Sequence, residues 1–187
     1  TVIFDYGQAG RLVAVGQLAL YCAHPWLRIK DITDPNWEEN IELQEDPAYP
    51  LLTIKMTACI NILRESFLTG KKVLIFATYN YCSDLIKKAA EQEKLIDAYW
   101  NVINGSTAQE LRQNIVDEFS SYDGPAVLIL NPKAAGSGLN ITASTIVIHY
   151  TQNWNPALEM QASARAHRRG QDKPVTIYRL FYEGTVE

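Results

Sequence analysis

Gln161 to Gln171 reads QASARAHRRGQ, and Ala134 to Asn140 reads AAGSGLN. In a helix opened by Asn155-Pro156, Gln161, Arg165 and Arg168 fall at i, i+4 and i+7 and share one face. Like charges at this spacing repel on a free helix, so two guanidiniums and an amide aimed together call for an anion. Nucleotide phosphate suits the planar guanidinium fork best. A solvated basic face would account for an isolated RxxR. Here the helix follows a strand, a glycine turn, a second strand and Asn153-Trp154-Asn155-Pro156, and another strand follows Gly170.

Working outward, short apolar runs alternate with helical periodicity. Leu51 to Leu68 reads as a helix stopped by Gly70, and Val73 to Ala77 as a strand buried on both faces. A helix from Tyr81 to about Lys94, a strand near Tyr99 to Ile103 and an Asn104-Gly105 turn follow. Ser106 or Thr107 is placed to cap the next helix, which ends near Phe119. Val127 to Leu130, Ile146 to Tyr150 and Val175 to Tyr182 complete the strands. Alternation of this kind predicts an α/β domain, a parallel sheet with helices on both faces. Ligands of such sheets gather at the carboxyl ends of the strands. Thr78, Asn104 to Thr107, Pro132 to Asn140 and Thr151 to Asn155 all lie just past strand ends, so spacing alone puts the candidate residues on one rim.

Upstream, Gln8 to Cys22 has helical spacing and ends at His24-Pro25. Arg28 to Pro50 carries seven acids and three prolines and reads as a solvated linker or surface excursion. The expected division is 1–50, helix plus acidic excursion, and 51–187, the α/β lobe. Tyr99, Trp100 and Tyr178 belong to the core or its edge, and Trp154 reads as a hydrophobic staple or lobe contact rather than a base-stacking platform.

The sequence resembles the second RecA-like lobe of superfamily-two helicases, and more narrowly the Swi/Snf-type DNA translocases. The matching stretches are LALYCAHPWL at 18–27, VLIF at 73–76, NGST at 104–107, GSGLN at 136–140, NWNP at 153–156, QASARAHRRGQ at 161–171 and VTIYRLFYEGTVE at 175–187. The resemblance implies a three-layer RecA-like fold with a short N-terminal helical extension. It implies ATP with magnesium as cofactor, the metal held mainly by a first lobe, and as partners that first lobe of the same polypeptide and double-stranded DNA. Arg165 and Arg168 would be arginine fingers, with Gln161, Gly138, Asn140 and Arg169 around the nucleotide. Thr78, Ser106, Thr107 and Lys133 would grip DNA phosphates. His167 falls on another side of the helix and reads as a packing or interlobe residue. The chain departs from the family pattern at Ala77-Thr78, usually Ser-Gln; at Asn104, usually Asp; at Asn131-Pro132, usually Ser or Thr; and at Ala135, usually Gly.

Composition bounds these expectations. Of 187 residues, 47% are hydrophobic and 20% charged, an ordinary globular balance. The net charge of −4 argues against holding nucleic acid by bulk charge alone, though not against a grip through loop amides and hydroxyls. Three scattered cysteines without CxxC, and three scattered histidines, give no metal spacing and suggest reduced, buried thiols in a reducing compartment. No run is apolar enough for a membrane span. The expected setting is intracellular, cytoplasm or nucleoid for a bacterial or phage protein and nucleus for a eukaryotic one. No GxxxxGK[ST] occurs, and Asp117-Glu118 sits within a predicted helix, so neither a triphosphate loop nor an acidic magnesium box is present. The chain therefore reads as a piece of a longer ATP hydrolase that is inactive by itself. A strand-separating DNA or RNA helicase lobe and a non-catalytic binding module are the alternatives.

Overall fold

The structure is a computed structural model and describes residues 7–133, 139, 141–152 and 173–187, with side chains from residue 10 onward. These residues fall into two compact units, 1–53 with 181–187, and 54–180.

In the first unit, α1 (Gly7–Ala23) stops just before His24-Pro25. Leu27–Ile29 (β1) and Ile41–Leu43 (β2) pair antiparallel. The acidic stretch is thus a structured hairpin excursion, not a plain linker. Composition concealed it because its acids are used locally. Asp31, Asp34 and Asp46 each accept the backbone N–H two residues on, from Thr33 (2.8 Å), Asn36 (2.8 Å) and Ala48 (2.9 Å). These are Asx turns, which hold a polar loop without a core. His24 and Trp26 clasp the far end. The His24 Nδ1 accepts from Trp26 N (3.1 Å), so its Nε2–H donates to Leu51 O (3.0 Å). Trp26 Nε1 donates to Asp46 O and Tyr49 O, and Arg28 pairs with Asp46 at 3.1 Å. The Gln17 amide bridges Leu27 O and Ile29 N, fixing α1 to β1.

The second unit is built on a five-stranded sheet of order β4-β5-β3-β6-β7, parallel throughout. Its elements are α2 (Ile54–Leu68), β3 (Lys72–Phe76), α3 (Asn80–Gln92), β4 (Tyr99–Ile103), α4 (Gln109–Ser121), β5 (Ala126–Leu130), β6 (Ile146–His149) and β7 (Thr176–Arg179). Strands β3, β5 and β6 are the apolar runs of the sequence, and they hold the centre because both their faces are covered. On one face Leu74, Phe76, Leu128, Leu130 and Val147 meet Val116 and Phe119 of α4. Their alternates Val73, Ile75, Val127, Ile129 and Ile148 are equally buried, and α2, with Met56, Cys59, Ile60 and Leu63 inward, packs on β3 and α3. Tyr99 and Trp100, half-buried on edge strand β4, and Tyr178, half-buried on β7, take the edge positions expected of them. Cys59 and Cys82 are buried free thiols pushed up to about 12 by burial, whereas Cys22 is only half-buried.

Helix ends obey local chemistry. Gly70 adopts φ +64, and the Gly70 and Lys71 amides close back on Phe67 O and Ser66 O, satisfying the last carbonyls of α2. The ammonium of Lys72 donates to Phe119 O (2.9 Å) and Tyr122 O at the end of α4, and burial lowers its pKa. At the start of α4 the expected cap is absent. The N-cap residue is Ala108, with no side-chain bond, because Ser106 and Thr107 turn back toward Asn104.

Gly16 supplies a direct test of the first unit. A Cβ there would sit 2.4 Å from the Trp37 ring, so the indole of the excursion occupies the space the glycine leaves on α1. Gly16→Ala is expected to cost roughly 1–3 kcal/mol by overpacking, despite alanine's better helix propensity. Chemical denaturation monitored by tryptophan fluorescence checks this. Adding Trp37→Leu should recover most of the loss, and no recovery would show that the contact is not the cause.

Candidate nucleotide and nucleic-acid rim

Parallel strands deliver their carboxyl ends to one edge, and the backbone ladder continues past each strand before the loops diverge. Ala77 N reaches Leu130 O (3.1 Å), Tyr150 N reaches Phe76 O (2.9 Å) and Asn131 N reaches Ile103 O (3.0 Å). Thr78, Asn104–Thr107, Asn131–Lys133 and Thr151-Gln152 therefore share this rim.

Three of these loops are tied by side chains. Thr78 N donates to Thr151 Oγ1 (2.8 Å), and the two threonine hydroxyls lie 2.8 Å apart. The Asn131 amide donates to Thr78 O (2.8 Å) and Asn80 Oδ1 (3.0 Å), while its Oδ1 accepts from Lys133 N (3.1 Å). Asn131 thus bonds in three directions and joins the loops after β3 and β5. Sequence reading noted it only as a departure from the family's serine or threonine. A longer amide with two donors reaches both neighbours, which a hydroxyl could not.

The NGST turn closes on itself. Asn104 Oδ1 accepts from Ser106 N (3.0 Å) and Ser106 Oγ (2.6 Å), and Thr107 Oγ1 accepts from Asn104 N (3.1 Å). An asparagine serves where the family usually has aspartate because the bonds formed need an acceptor oxygen, not a charge. Ser106 is exposed and Thr107 half-buried, so both remain accessible on the rim. Lys133 is exposed at its edge. Thr78, Ser106, Thr107 and Lys133 stand at the ends of three strands that are neighbours in the sheet.

Beneath the rim lie two groups that sequence reasoning missed. His149, 2% exposed, stacks on Phe76 at 5.2 Å, and burial with the neighbouring Arg179 lowers its pKa to about 4. Lys55, 4% exposed at the start of α2, places its ammonium 5.7 Å from the Tyr150 ring centre. Neither carries a motif. The only signal was a polar residue within an apolar run or at its end.

Gln161, Arg165, Arg168, Arg169, Gly138 and Asn140 lie outside the described residues, as do His167 and Trp154. Their flanks are described. Leu139 and Ile141 are buried in the core with Leu128 and Leu130, and Lys133 stands on the other side of the glycine stretch. Gln152 Nε2 donates to Leu180 O (2.8 Å), holding the rim where β6 gives way to residues 153–172. Among the described residues no group of three His, Cys, Asp or Glu side chains could hold a metal ion, and no helix is long and apolar enough to cross a membrane.

The chain belongs to the helicase conserved C-terminal domain family, whose model matches residues 54–170. It is 33% identical over 176 residues to the putative ATP-dependent helicase/translocase YwqA of Bacillus subtilis, covering 94% of this chain and 18% of that protein. It is 34% identical over 146 residues to the chromatin-remodeling ATPase INO80 of Neurospora crassa, covering 78% of this chain and 6% of that protein. The C-terminal part of the Fun30 ATPase domain superposes with a TM-score of 0.66 at 29% identity, over 76% of this chain and 45% of that one. The sheet is accordingly the RecA-like sheet expected, and the relatives are of the Swi/Snf type. The chain spans less than a fifth of the length of the two curated relatives just named.

His149 gives the unit a signed pH dependence. Folding depresses its pKa from the ordinary 6.5 to about 4, so between these values the unfolded chain binds more protons. Its contribution is complete above pH 6.5 and is lost as pH falls toward 4, at most roughly 3 kcal/mol. Urea midpoints measured across this window should fall for the native chain and fall less for His149→Phe. Parallel curves for the two would assign the acid loss elsewhere.

Proposed function

We propose that this chain is the second motor lobe of an ATP-dependent, Swi/Snf-type translocase on double-stranded DNA. The observation that carries the reading is the rim. Its candidate phosphate ligands stand together at the carboxyl edge of a sheet whose relatives are named ATP-dependent helicases or translocases. The lobe proper is 51–187, with 1–50 as its helical and acidic appendage. It acts against a first RecA-like lobe of the same polypeptide that holds ATP and most of its magnesium.

In that arrangement Arg165 and Arg168 reach the nucleotide from this side, with Gln161 ordering them and Gly138, Asn140 and Arg169 lining the approach. ATP supplies the free energy, and its transferring phosphoryl group carries the charge that two guanidiniums neutralise. Such delivery from a second domain accounts for roughly 10³–10⁵ in rate in other nucleotide hydrolases. Closure and reopening of the cleft become a step when the two lobes grip the DNA backbone alternately.

The grip on DNA rests on Thr78, Ser106, Thr107 and Lys133, through phosphate rather than bases. Thr151 sets what Thr78 can offer. Thr151 Oγ1 already accepts from Thr78 N, so when its own hydrogen goes to Thr78 Oγ1, the Thr78 O–H is released toward a phosphate oxygen. Thr151 is a positioning residue in this scheme.

In the full-length protein, Arg165→Ala or Arg168→Ala is expected to lower DNA-stimulated ATP hydrolysis by about 10³ or more without altering the melting temperature. Lysine at either position should rescue poorly, since an ammonium lacks the bidentate fork. Unchanged turnover with a depressed melting temperature would instead mark both arginines as structural ion-pair partners.

The 187-residue chain alone should hydrolyse ATP no faster than background, and should bind duplex DNA weakly, without sequence preference and with strong salt dependence. Robust turnover by the chain alone would overturn the split site, and tight salt-independent binding to one sequence would overturn the phosphate grip.

A further inference from the structure

The opposite edge of the same sheet carries a second candidate site, and it does not depend on the function proposed above. A cavity of about 410 Å³ opens at the amino ends of β3, β6 and β7, between the α2–β3 turn and the segments that lead into β6 and β7. Lys71, Lys173, Thr69, Thr145 and Thr176 line it, and its described lining contains no acid. On a chain of net charge −4 that is a local reversal of sign.

The backbone at this edge is already engaged. The amides of Thr69, Gly70 and Lys71 close α2, Thr145 N bonds Lys72 O, and Thr176 N bonds Thr145 O. Lys72 lines the cavity too, but its ammonium is committed to the carbonyls of Phe119 and Tyr122. Lys71 and Lys173 have no such commitment, and among the described residues neither joins an ion pair. Thr69 Oγ1 donates to Ser66 O (3.1 Å) and keeps acceptor capacity only. The hydroxyls of Thr145 and Thr176 make no described bond and can donate. Two lysines and two threonines without described side-chain partners thus line one concavity, and five of its backbone amides are already bonded.

We infer that this cavity binds a dianionic phosphate, free or at the end of a nucleotide. Two positive charges match the charge of nearly −2 on a phosphomonoester at neutral pH, and hydroxyl donors suit its oxygens. The compact shape favours one terminal group over a duplex backbone, whose single charges are strung along a line and ask for a stripe of cations. Lysine serves here as a point charge, without the flat bidentate recognition that an arginine would bring. The site lies at the amino edge, so an anion held there leaves the carboxyl rim open.

The test is a titration of the ¹⁵N-labelled chain, followed at the amides of Lys71, Thr145, Lys173 and Thr176. Inorganic phosphate, adenosine monophosphate and a duplex DNA with hydroxyl termini are added in separate arms. Saturable shifts at these amides with phosphate or the monophosphate are expected, weakening as pH falls through about 6 with protonation of the dianion. Tighter binding of the monophosphate assigns a nucleotide end as the source, and equal binding assigns free phosphate. The variant Lys71→Gln/Lys173→Gln should keep the native melting temperature and bind at least about tenfold more weakly. Shifts that never saturate, or that persist unchanged in the variant, would overturn the site. Equal binding of the terminus-free duplex at these amides would overturn the assignment to a phosphomonoester.

Discussion

The rim depends on one small polar contact, the pairing of Thr78 with Thr151 at 2.8 Å across the ends of β3 and β6. Parallel strands stop making ladder bonds at their carboxyl ends, and every amide released there must find another partner or water. Thr78 N finds the Thr151 hydroxyl, and Thr78 O finds the Asn131 amide from the loop after β5. Three loops that would otherwise diverge are thereby held in one arrangement. Thr151 is buried at 7% exposure, so losing its hydroxyl would leave Thr78 N without its bond in a partly dry place. The phosphate grip proposed above would be built on loops whose backbone these bonds already hold.

The central strands were legible because each is a continuous apolar run of strand length, and burial on both faces permits nothing else. Their edges were legible to within a residue or two. What escaped was chemistry that composition averages away. The Arg28 to Pro50 stretch reads as a solvated linker or surface excursion by its acids and prolines, and composition did not show that three of its aspartates spend their oxygens on their own turns, with Asp46 also pairing with Arg28. Thr107 fits the pattern of a helix cap, but Asn104 lies three residues behind it and its amide wins the hydroxyl. Asn131 appeared as a mismatch, and its role became visible only when its two donors had named acceptors. The arginine stretch that organises the sequence reading, residues 161–171, lies outside the described residues, so its assignment rests on the spacing of Gln161, Arg165 and Arg168 and on the family match through residue 170.

The sheet separates two kinds of polar surface. At its carboxyl edge the rim offers amides and hydroxyls held by mutual bonds, with Lys133 exposed at its edge and Arg112 donating to Thr107 O (3.1 Å). At its amino edge, around Lys71 and Lys173, side-chain charge stands over a backbone that is already satisfied. A net charge of −4 argues against either surface acting as a general nucleic-acid adhesive. Buried His149 and Lys55 sit just under the carboxyl rim, where loss of either side chain would disturb the packing of Phe76 or Tyr150 before it reached any ligand.

The proposed function puts duplex DNA across the carboxyl edge of this sheet. Site-specific photo-crosslinking in the full-length protein, bound to duplex DNA and a non-hydrolysable ATP analogue, tests it most directly. A benzophenone amino acid placed at Ser106 should capture DNA efficiently, and the same group placed at exposed Asp97, just before β4 on the amino edge, should not. Equal capture at the two positions, or capture at Asp97 alone, would place the DNA elsewhere.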